Sequence, residues 1–379
     1  MISNKNKIAL ALFAVITIAG QLFQHYSFMH QQDLGLFLFT GDYFTSVFRG
    51  DMPVISLISS FLVQFYDIFL LGPALTALLV LAVYSMLEKM LRRLIPAYSI
   101  LPALLLSCVI WVFSAHCKSP EFLVAATLAV LVLYLFSLLL KEKVASVMSR
   151  NVLAPGVAVL LLSSAVVALS PKVRYDEKKS AIEILARQGR WDRVLEKATP
   201  EYCEKHREFL PYALLALNTR GQLASGMFAY PVKGPEDLDM DGVISREGYY
   251  FSSILYECLG CYNEAIHLIF QSSMFLDHGM GFVTLYQLLR YNIENQNYAM
   301  VEKYARILAR SPRNHFLARR IIKAYSDRSS RQQSGMSSDD ALITNNPMQN
   351  LGILYKSGIQ TRLGAERLSA YMSMMSQQE

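Results

Sequence analysis

Five stretches without a charged side chain, each about 20 residues long, constrain the fold of this 379-residue chain more than any other feature. An α-helix rises about 1.5 Å per residue, so each stretch is long enough to cross the roughly 30 Å hydrocarbon layer of a bilayer. Peptide groups in lipid must be hydrogen-bonded within the protein, which favours helices for stretches of this length. We therefore predict an all-α chain with five transmembrane helices, at about residues 8–26, 68–87, 97–115, 122–140 and 152–170.

The charged residues are distributed unevenly along the chain. Residues 1–170 hold only 10 of the 36 Lys and Arg residues and 7 of the 30 Asp and Glu residues. Because 53% of all residues are hydrophobic and only 17% are charged, the chain is too apolar for an ordinary soluble protein. The shift in charge density predicts a transmembrane domain over residues 1–171, followed by a water-exposed domain. Five cysteines are too few for a disulfide framework.

The basic residues of the short connections predict the orientation. Short cytoplasmic connections of membrane proteins are enriched in Lys and Arg. Basic residues precede the first stretch, separate the second from the third, and separate the fourth from the fifth: Lys5, Lys7, Lys89, Arg92, Arg93, Lys141, Lys143 and Arg150. This pattern predicts a cytoplasmic N-terminus, and it places everything beyond the fifth stretch outside the cytoplasm, in the periplasm if the cell is a diderm bacterium. The first stretch is read as an uncleaved anchor, since four more follow it.

The segment between the first two stretches is rich in aromatic residues, a composition typical of the boundary between water and lipid. We predict two interfacial helices there, at about 34–48 and 53–66. In the second, Ser56, Ser60 and Gln64 recur every fourth residue and form one polar stripe. These helices either pack against the transmembrane bundle or line a cleft for a lipid substrate, and membrane lipid is an expected partner.

Beyond residue 171, one short pattern recurs four times. A turn residue is followed two positions later by a large apolar residue, and three positions after that by a small or β-branched one. The sites carrying it are Gly189 and Trp191, Gly221 and Leu223, Gly260 with Tyr262 and Ala265, and Gln296 and Tyr298. Their spacing is close to the roughly 34-residue period of tetratricopeptide repeats. The turn residue permits a tight connection between two helices, and the small residue allows their backbones to approach.

The sequence GCYNEAI at residues 260–266 resembles the turn and second-helix start of a tetratricopeptide repeat, and Pro312 falls near the position of the closing proline of such a repeat. The resemblance implies helical hairpins over residues 172–325. The polar stretch 326–346 is then a flexible linker, and 347–379 a terminal hairpin. Phe61, Leu62, Gln64 and Phe65 form a phenylalanine-rich motif in the aromatic segment. Together with the five predicted spans and the tetratricopeptide-like second half, this motif resembles an uncharacterised family of Bacteroidota inner-membrane proteins. That resemblance implies a bacterial inner membrane as the location, with the second half in the periplasm, and it implies no activity.

Two motifs suggest metal or redox chemistry. Asp237, Asp239 and Asp241 match the opening of a calcium-binding EF-hand loop, but the twelfth position is glycine instead of the required glutamate. We read this loop as an acidic connection between repeats, with weak calcium binding as the alternative. Cys258 and Cys261 form a CxxC motif that lies across a helical turn, where a thiolate gains no stabilisation from a helix N-terminus. We expect no metal and no cofactor.

The sequence predicts a non-catalytic membrane protein whose periplasmic helical-repeat domain binds another protein or a peptide, as an envelope adaptor or assembly factor. The alternative is a degenerate glycosyltransferase-like protein that uses polyprenyl-linked sugars, with Asp33 and Asp42 of the first outer segment as acidic groups. In that place Asp33 can equally be a helix N-cap. The net charge of +6 is read as spread over the chain, which argues against nucleic acid as a partner.

Overall fold

The computed structural model describes residues 4–94, 99–139, 152–240, 244–276, 279–329, 349, 352 and 362–375. Every regular element in these ranges is a helix and none is a strand, which confirms the all-α prediction. The chain forms two compact units. Unit 1 comprises Met1–Phe37 and Gly41–Lys178, and unit 2 comprises Leu38–Thr40 and Lys179–Glu379.

Unit 1 contains the long apolar helices. In chain order its helices are α1 (Asn4–Phe23), α2 (His25–Leu34), α3 (Gly41–Phe48), α4 (Pro53–Val63), α5 (Leu71–Leu94), α6 (Ile100–Cys117), α7 (Pro120–Ser137), α8 (Leu153–Leu169) and α9 (Pro171–Arg187), of which α9 continues into unit 2. Helices α1, α5, α6 and α7 are long and apolar enough to cross a membrane. Helices α8 and α9 meet the same test as a pair bent by 56°. The five predicted spans therefore coincide with five helices, within a few residues at most ends.

The first predicted span ends earlier than expected. Gln24 leaves the helical conformation, with φ of −139° and ψ of 19°, so residues 8–26 do not form one continuous helix. The carboxamide of Gln24 is buried and donates a hydrogen bond of 3.4 Å to the carbonyl of Ala115. A polar side chain anchored to a neighbouring helix therefore marks the break, which the uniformly uncharged sequence did not indicate.

The apolar core of unit 1 lies between α1, α5, α6, α7 and α8. Trp111 and Tyr84 are among its largest fully buried side chains, and Ile8, Leu12 and Leu104 are buried with them. The outward faces of the same helices are also apolar. Side chains that are more than half exposed there include Leu10, Leu105, Leu133, Leu162 and Leu169. Helices that are hydrophobic on all sides suit a lipid environment.

The two ends of the bundle are each held by polar contacts. At one end, Lys5 forms an ion pair with Glu88, and Arg93 donates to the Ser137 carbonyl over 3.0 Å. These contacts bring together the start of α1 and the ends of α5 and α7. At the opposite end, Lys118 pairs with Asp176 at 3.5 Å, and His116 is hydrogen-bonded to Ser170 at 2.9 Å. The long helices therefore alternate in direction, as consecutive membrane spans do.

The aromatic segment folds differently from the prediction. The predicted helix 34–48 is not continuous. Leu34 is the last residue of α2, residues 35–40 form no helix, and Gly41–Phe48 forms α3. The aromatic rings instead pack edge to face around Phe37, whose centroid lies 5.4 Å from that of Tyr43 and 5.3 Å from that of Phe61. Such pairs add about 0.5–1.5 kcal/mol beyond the area they bury.

The second interfacial helix, predicted at 53–66, is α4, which ends at Val63. It begins with Pro53 in its first turn, a position that proline favours. It packs against α7 and α2. Gln64 is buried just after its end, and its carboxamide donates to the Phe61 carbonyl at 2.9 Å. Since Ser56 and Ser60 are half-buried, the polar stripe does not form a water-exposed face. Packing against the bundle accounts for this helix.

Unit 2 is a set of shorter helices. After α9 these are α10 (Trp191–Lys197), α11 (Pro200–Lys205), α12 (Leu210–Thr219), α13 (Leu223–Gly226), α14 (Arg246–Leu259), α15 (Tyr262–Ser273), α16 (Phe282–Glu294), α17 (Tyr298–Leu308), α18 (His315–Ser329) and α19 (Arg362–Met375). From α14 to α18 each helix packs against the next one in the chain. The terminal α19 packs against α12, α13 and α14.

Two predicted boundaries of unit 2 differ from the structure. Helix α18 continues to Ser329, so residues 326–329 of the predicted linker are helical. Residues 330–346 lie outside the described residues. Of the predicted terminal hairpin, the described part contains α19 together with Gln349 and Gly352, and the remaining residues of 347–379 lie outside it. The two units divide between Lys178 and Lys179, seven residues beyond the predicted domain boundary.

Candidate functional site

All four predicted turn residues adopt a left-handed backbone conformation. Their φ values are +66° at Gly189, +69° at Gly221, +82° at Gly260 and +54° at Gln296. In each turn the N–H of this residue donates to the carbonyl three positions earlier, and the next N–H donates to the carbonyl five positions earlier. All eight of these hydrogen bonds measure 2.8–3.1 Å. This is the Schellman motif, which satisfies the last carbonyls of a helix and reverses the chain.

The residues after each turn also share a geometry. The predicted large apolar residues are the first residues of α10, α13, α15 and α17, namely Trp191, Leu223, Tyr262 and Tyr298. Three positions later, Val194, Ala265 and Val301 are fully buried. At the second turn, Gly226 occupies this position, and a Cβ atom there would lie 3.3 Å from Leu217. The pattern therefore marks four places where a second helix starts close to its neighbours.

A network of charged side chains lies among the first helices of these pairs. The Arg246 guanidinium of α14 contacts the Glu183 carboxylate of α9 at 3.3 Å and that of Glu247 at 3.4 Å. Lys179 of α9 pairs with Glu247 at 3.0 Å. Burial alone would lower the pKa of Arg246, but the two carboxylates raise it. Burial opposes ionisation of Glu247, yet Arg246 and Lys179 hold its pKa below the ordinary value. The shifts of Arg246 and Glu247 therefore both favour the charged form.

A second polar group joins α14, α16 and α9. Arg290 of α16 pairs with Glu257 of α14 and donates to the Arg187 carbonyl of α9 at 3.1 Å. The Tyr291 hydroxyl accepts a hydrogen bond of 3.0 Å from Gln287. Helix α9 thus contacts the first helices of two successive pairs. Helical-repeat arrays use their concave surface to bind ligands, and here part of the surface of α14 and α16 is already covered by α9.

An exposed apolar patch remains at the end of the α14–α15 hairpin that lies opposite the Gly260 turn. We define the Met274 patch as Ile244, Tyr249, Met274 and Phe275. Ile244 and Met274 are 78% and 80% exposed, and Phe275 is about half exposed. The rings of Tyr249 and Phe275 lie 6.0 Å apart, which joins the two ends of the hairpin into one surface. The patch is therefore an exposed apolar surface of the kind that solubility disfavours in a water-exposed domain.

The acidic residues of the glycosyltransferase alternative lie in different environments. Asp33 is only 4% exposed and lies in the last turn of α2, so it is not the helix N-cap that the sequence suggested. Asp42 is exposed in the first turn of α3, where a negative charge favours the helix dipole. Asp42 therefore has a structural role at a helix start.

The EF-hand-like residues are engaged in other contacts. The Asp237 carboxylate pairs with Arg207 at 2.5 Å and accepts a hydrogen bond of 2.6 Å from the Lys233 N–H. Asp239 accepts one from the Met240 N–H at 2.7 Å. Asp241 lies outside the described residues. Within the described ranges, no group of three or more His, Cys, Asp and Glu side chains is placed to hold a metal ion.

The CxxC cysteines are not bonded to each other. Cys261 is buried, and burial raises the pKa of the Cys258 thiol to about 12, with the nearby Glu257 carboxylate adding to the effect. Reactive cysteines are thiolates at neutral pH. The raised pKa keeps the half-buried Cys258 as a thiol at neutral pH. Cys261 is the residue immediately before α15, so the prediction that neither cysteine lies at a helix N-terminus is wrong.

Two acidic groups of unit 1 that make long-range contacts were not identified from the sequence. Glu177 accepts hydrogen bonds of 2.8 Å from the backbone N–H groups of Tyr26 and Ser27 at the start of α2. Glu88, only 2% exposed, pairs with Lys5. Both partners are distant in the sequence, so no local motif signals either contact. Glu88 directly follows an uncharged stretch, where an unpaired acidic side chain is costly. This position indicates that Glu88 has a cationic partner.

Comparisons with known proteins identify a family but no activity. The sequence matches the family described as "Family of unknown function (DUF6057)" over residues 2–170 and again over 123–372. No curated protein and no solved structure matches it significantly. The two matched segments together extend over nearly the whole chain. The chain therefore belongs to the family of unknown function DUF6057.

Proposed function

We propose that this protein is a non-catalytic adaptor or assembly factor of the bacterial inner membrane. In this proposal the long helices of unit 1 span the membrane. Unit 2 is a tetratricopeptide-like domain on the periplasmic side that binds another protein or a peptide. The observation that carries the proposal is the repetition of one turn geometry at four sites in unit 2, because such stacked helical pairs serve mainly as binding surfaces.

The orientation rests on the distribution of basic residues. Lys5 and Arg93 lie at the end of the bundle that the sequence assigns to the cytoplasm. The opposite end holds His116 and Ser170, immediately before the charged helix α9. An excess of Lys and Arg in short connections marks the cytoplasmic side. This supports a periplasmic location for the residues beyond α8.

The Met274 patch is the proposed contact surface for the partner. Since α9 already occupies part of α14 and α16, the remaining exposed apolar side chains of this hairpin are the better candidates. Exposed Met and aromatic side chains are typical of the central contacts of protein interfaces. The partner is accordingly expected to present an apolar segment.

Chemical crosslinking in native membranes tests the proposal. The tagged full-length protein should form a stoichiometric crosslink with one protein, and Met274→Lys should greatly reduce it. Met372→Lys is a matched control, since Met372 is also an exposed methionine of unit 2 and is not part of the patch. Loss of the crosslink in the patch variant alone supports the adaptor. A crosslink that survives Met274→Lys contradicts this surface, and copurification of a polyprenyl-linked sugar would favour the glycosyltransferase alternative.

A further inference from the structure

One short segment carries the entire net charge of the chain. Residues 301–329, which include most of α17 and all of α18, contain eight Lys and Arg residues and two acidic residues. The segment therefore has a formal charge of +6, which equals the net charge of all 379 residues. The expectation that the positive charge is spread along the chain is wrong. The residues outside 301–329 have equal numbers of basic and acidic side chains, 28 of each.

Helix α18 places part of this charge beside exposed apolar side chains. Its inner face packs against α17 and buries Ala318 completely. On the outer face, Phe316 is 78% exposed, and Arg320 and Lys323 follow it at helical spacing along the same side. Arg319 is exposed one residue before Arg320. The outer face is thus both basic and aromatic.

Arg319, Arg320 and Lys323 form no ion pair with any residue in the ranges that the structure describes. Among the described helices, α18 is also the last in the series that pack one against the next from α14 onward. Terminal helices of a repeat array normally have a polar outer face that suits water. The exposed Phe316 departs from that rule, which indicates that this face contacts something other than water.

We propose that the outer face of α18 docks on the anionic headgroups of a lipid bilayer. The complementary charge is phosphate, which Arg and Lys side chains bind well. Phe316 and Leu317 supply the apolar side chains that enter the boundary between headgroups and acyl chains. The chain has at least four helices suited to cross a membrane, so every copy of α18 is tethered to a bilayer. Lipid is therefore favoured over a soluble polyanion.

An environment-sensitive fluorophore on α18 tests this docking in the full-length protein. Ala324 is exposed and adjacent to the basic residues, so Ala324→Cys in a Cys117→Ser background provides the labelling site. The same background without Ala324→Cys measures labelling of the half-buried Cys258. The labelled protein is reconstituted in vesicles of phosphatidylcholine alone and in vesicles that also contain phosphatidylglycerol.

The expected result is a blue-shifted emission with phosphatidylglycerol that high salt reverses. Each surface Lys or Arg contributes about fivefold to binding, so Arg319→Gln/Arg320→Gln/Lys323→Gln should lower the docked-to-undocked ratio about 100-fold. The control removes the same charge from exposed residues elsewhere in unit 2, Arg190→Gln/Arg193→Gln/Lys205→Gln, and should keep the shift. The proposal would be overturned by equal emission in the two kinds of vesicle. It would also be overturned if both triple variants lost the emission shift equally, or if only added DNA produced the shift.

Discussion

The Glu177 carboxylate accepts two hydrogen bonds from Ser27, one from its backbone N–H and one from its hydroxyl, each 2.8 Å long. The break at Gln24 frees the first N–H groups of α2 from the hydrogen-bond pattern of α1, and a helix N-terminus leaves such donors unsatisfied. Glu177 satisfies the N–H groups of Tyr26 and Ser27. A long-range contact thereby stabilises a helix break that the local sequence leaves open.

This contact predicts a pH dependence of stability. Burial raises the pKa of Glu177 above its ordinary value, and the hydrogen bonds from Tyr26 and Ser27 offset only part of that effect. Because the folded-state pKa of Glu177 is above the unfolded-state pKa, its contribution to stability is fully present below the unfolded-state pKa. That contribution is lost as the pH rises through the folded-state pKa. We expect the thermal midpoint of the detergent-solubilised protein to fall over that interval, and Glu177→Gln to flatten the slope.

The control for this measurement is Glu204→Gln, which changes an exposed glutamate of α11. It should keep the wild-type slope. If Glu177→Gln and the wild type follow the same curve between the ordinary glutamate pKa and neutral pH, Glu177 does not titrate in the way its surroundings imply.

The repeated turns predict opposite effects of two substitutions. Gly260→Ala should destabilise unit 2 by about 1 kcal/mol, since an alanine disfavours the left-handed conformation. A Cβ atom at Gly260 would have nothing within 4 Å, so the cost is purely conformational. Gln296→Gly should stabilise the protein by a similar or smaller amount, because Gln296 already has a φ of +54°. Denaturant titration measures both changes.

A matched control is available for the glycine substitution. Gly41 also has open space around its Cβ position, but its φ lies outside the left-handed region. Gly41→Ala should therefore be close to neutral. A loss at Gly41 as large as that at Gly260 would show that the effect does not arise from turn geometry.

The Lys5–Glu88 pair predicts strong coupling between the ends of α1 and α5. Lys5→Met leaves the nearly fully buried Glu88 without its cation and should destabilise unit 1 by up to about 3 kcal/mol. The double variant Lys5→Met/Glu88→Leu removes both charges and should recover most of that loss. Thermal unfolding of the single and double variants measures the coupling, and additive losses would mean that the pair does not interact.

The cysteines predict a simple labelling pattern. Cys117 at the end of α6 is exposed, whereas Cys108, Cys203 and Cys261 are buried and Cys258 is half-buried with a raised pKa. A maleimide should modify Cys117 rapidly and the other thiols slowly, and Cys117→Ser should abolish the fast phase. Fast labelling of Cys258 after mild reduction would instead reveal a reducible bond and a redox role for the CxxC motif.

Local patterns in the sequence were sufficient to predict the spans and the turns. An uncharged stretch of about 20 residues has few alternatives to a membrane helix, and the turn residues mark left-handed positions even where Gln296 replaces glycine. Contacts between distant segments could not be predicted in this way. The Lys5–Glu88 pair joins residues 83 positions apart, and Glu177 reaches a helix about 150 positions earlier. Surface chemistry was also missed at α18, where the relevant quantity is charge on one helical face.

The location of unit 2 is the claim on which the adaptor proposal depends most. Alkaline phosphatase and green fluorescent protein, each fused to the C-terminus of the full-length protein in a diderm bacterium, measure it directly. The account predicts an active phosphatase fusion and a dark fluorescent one, since the phosphatase folds only after export. A fluorescent fusion together with an inactive phosphatase would place unit 2 in the cytoplasm and contradict the account.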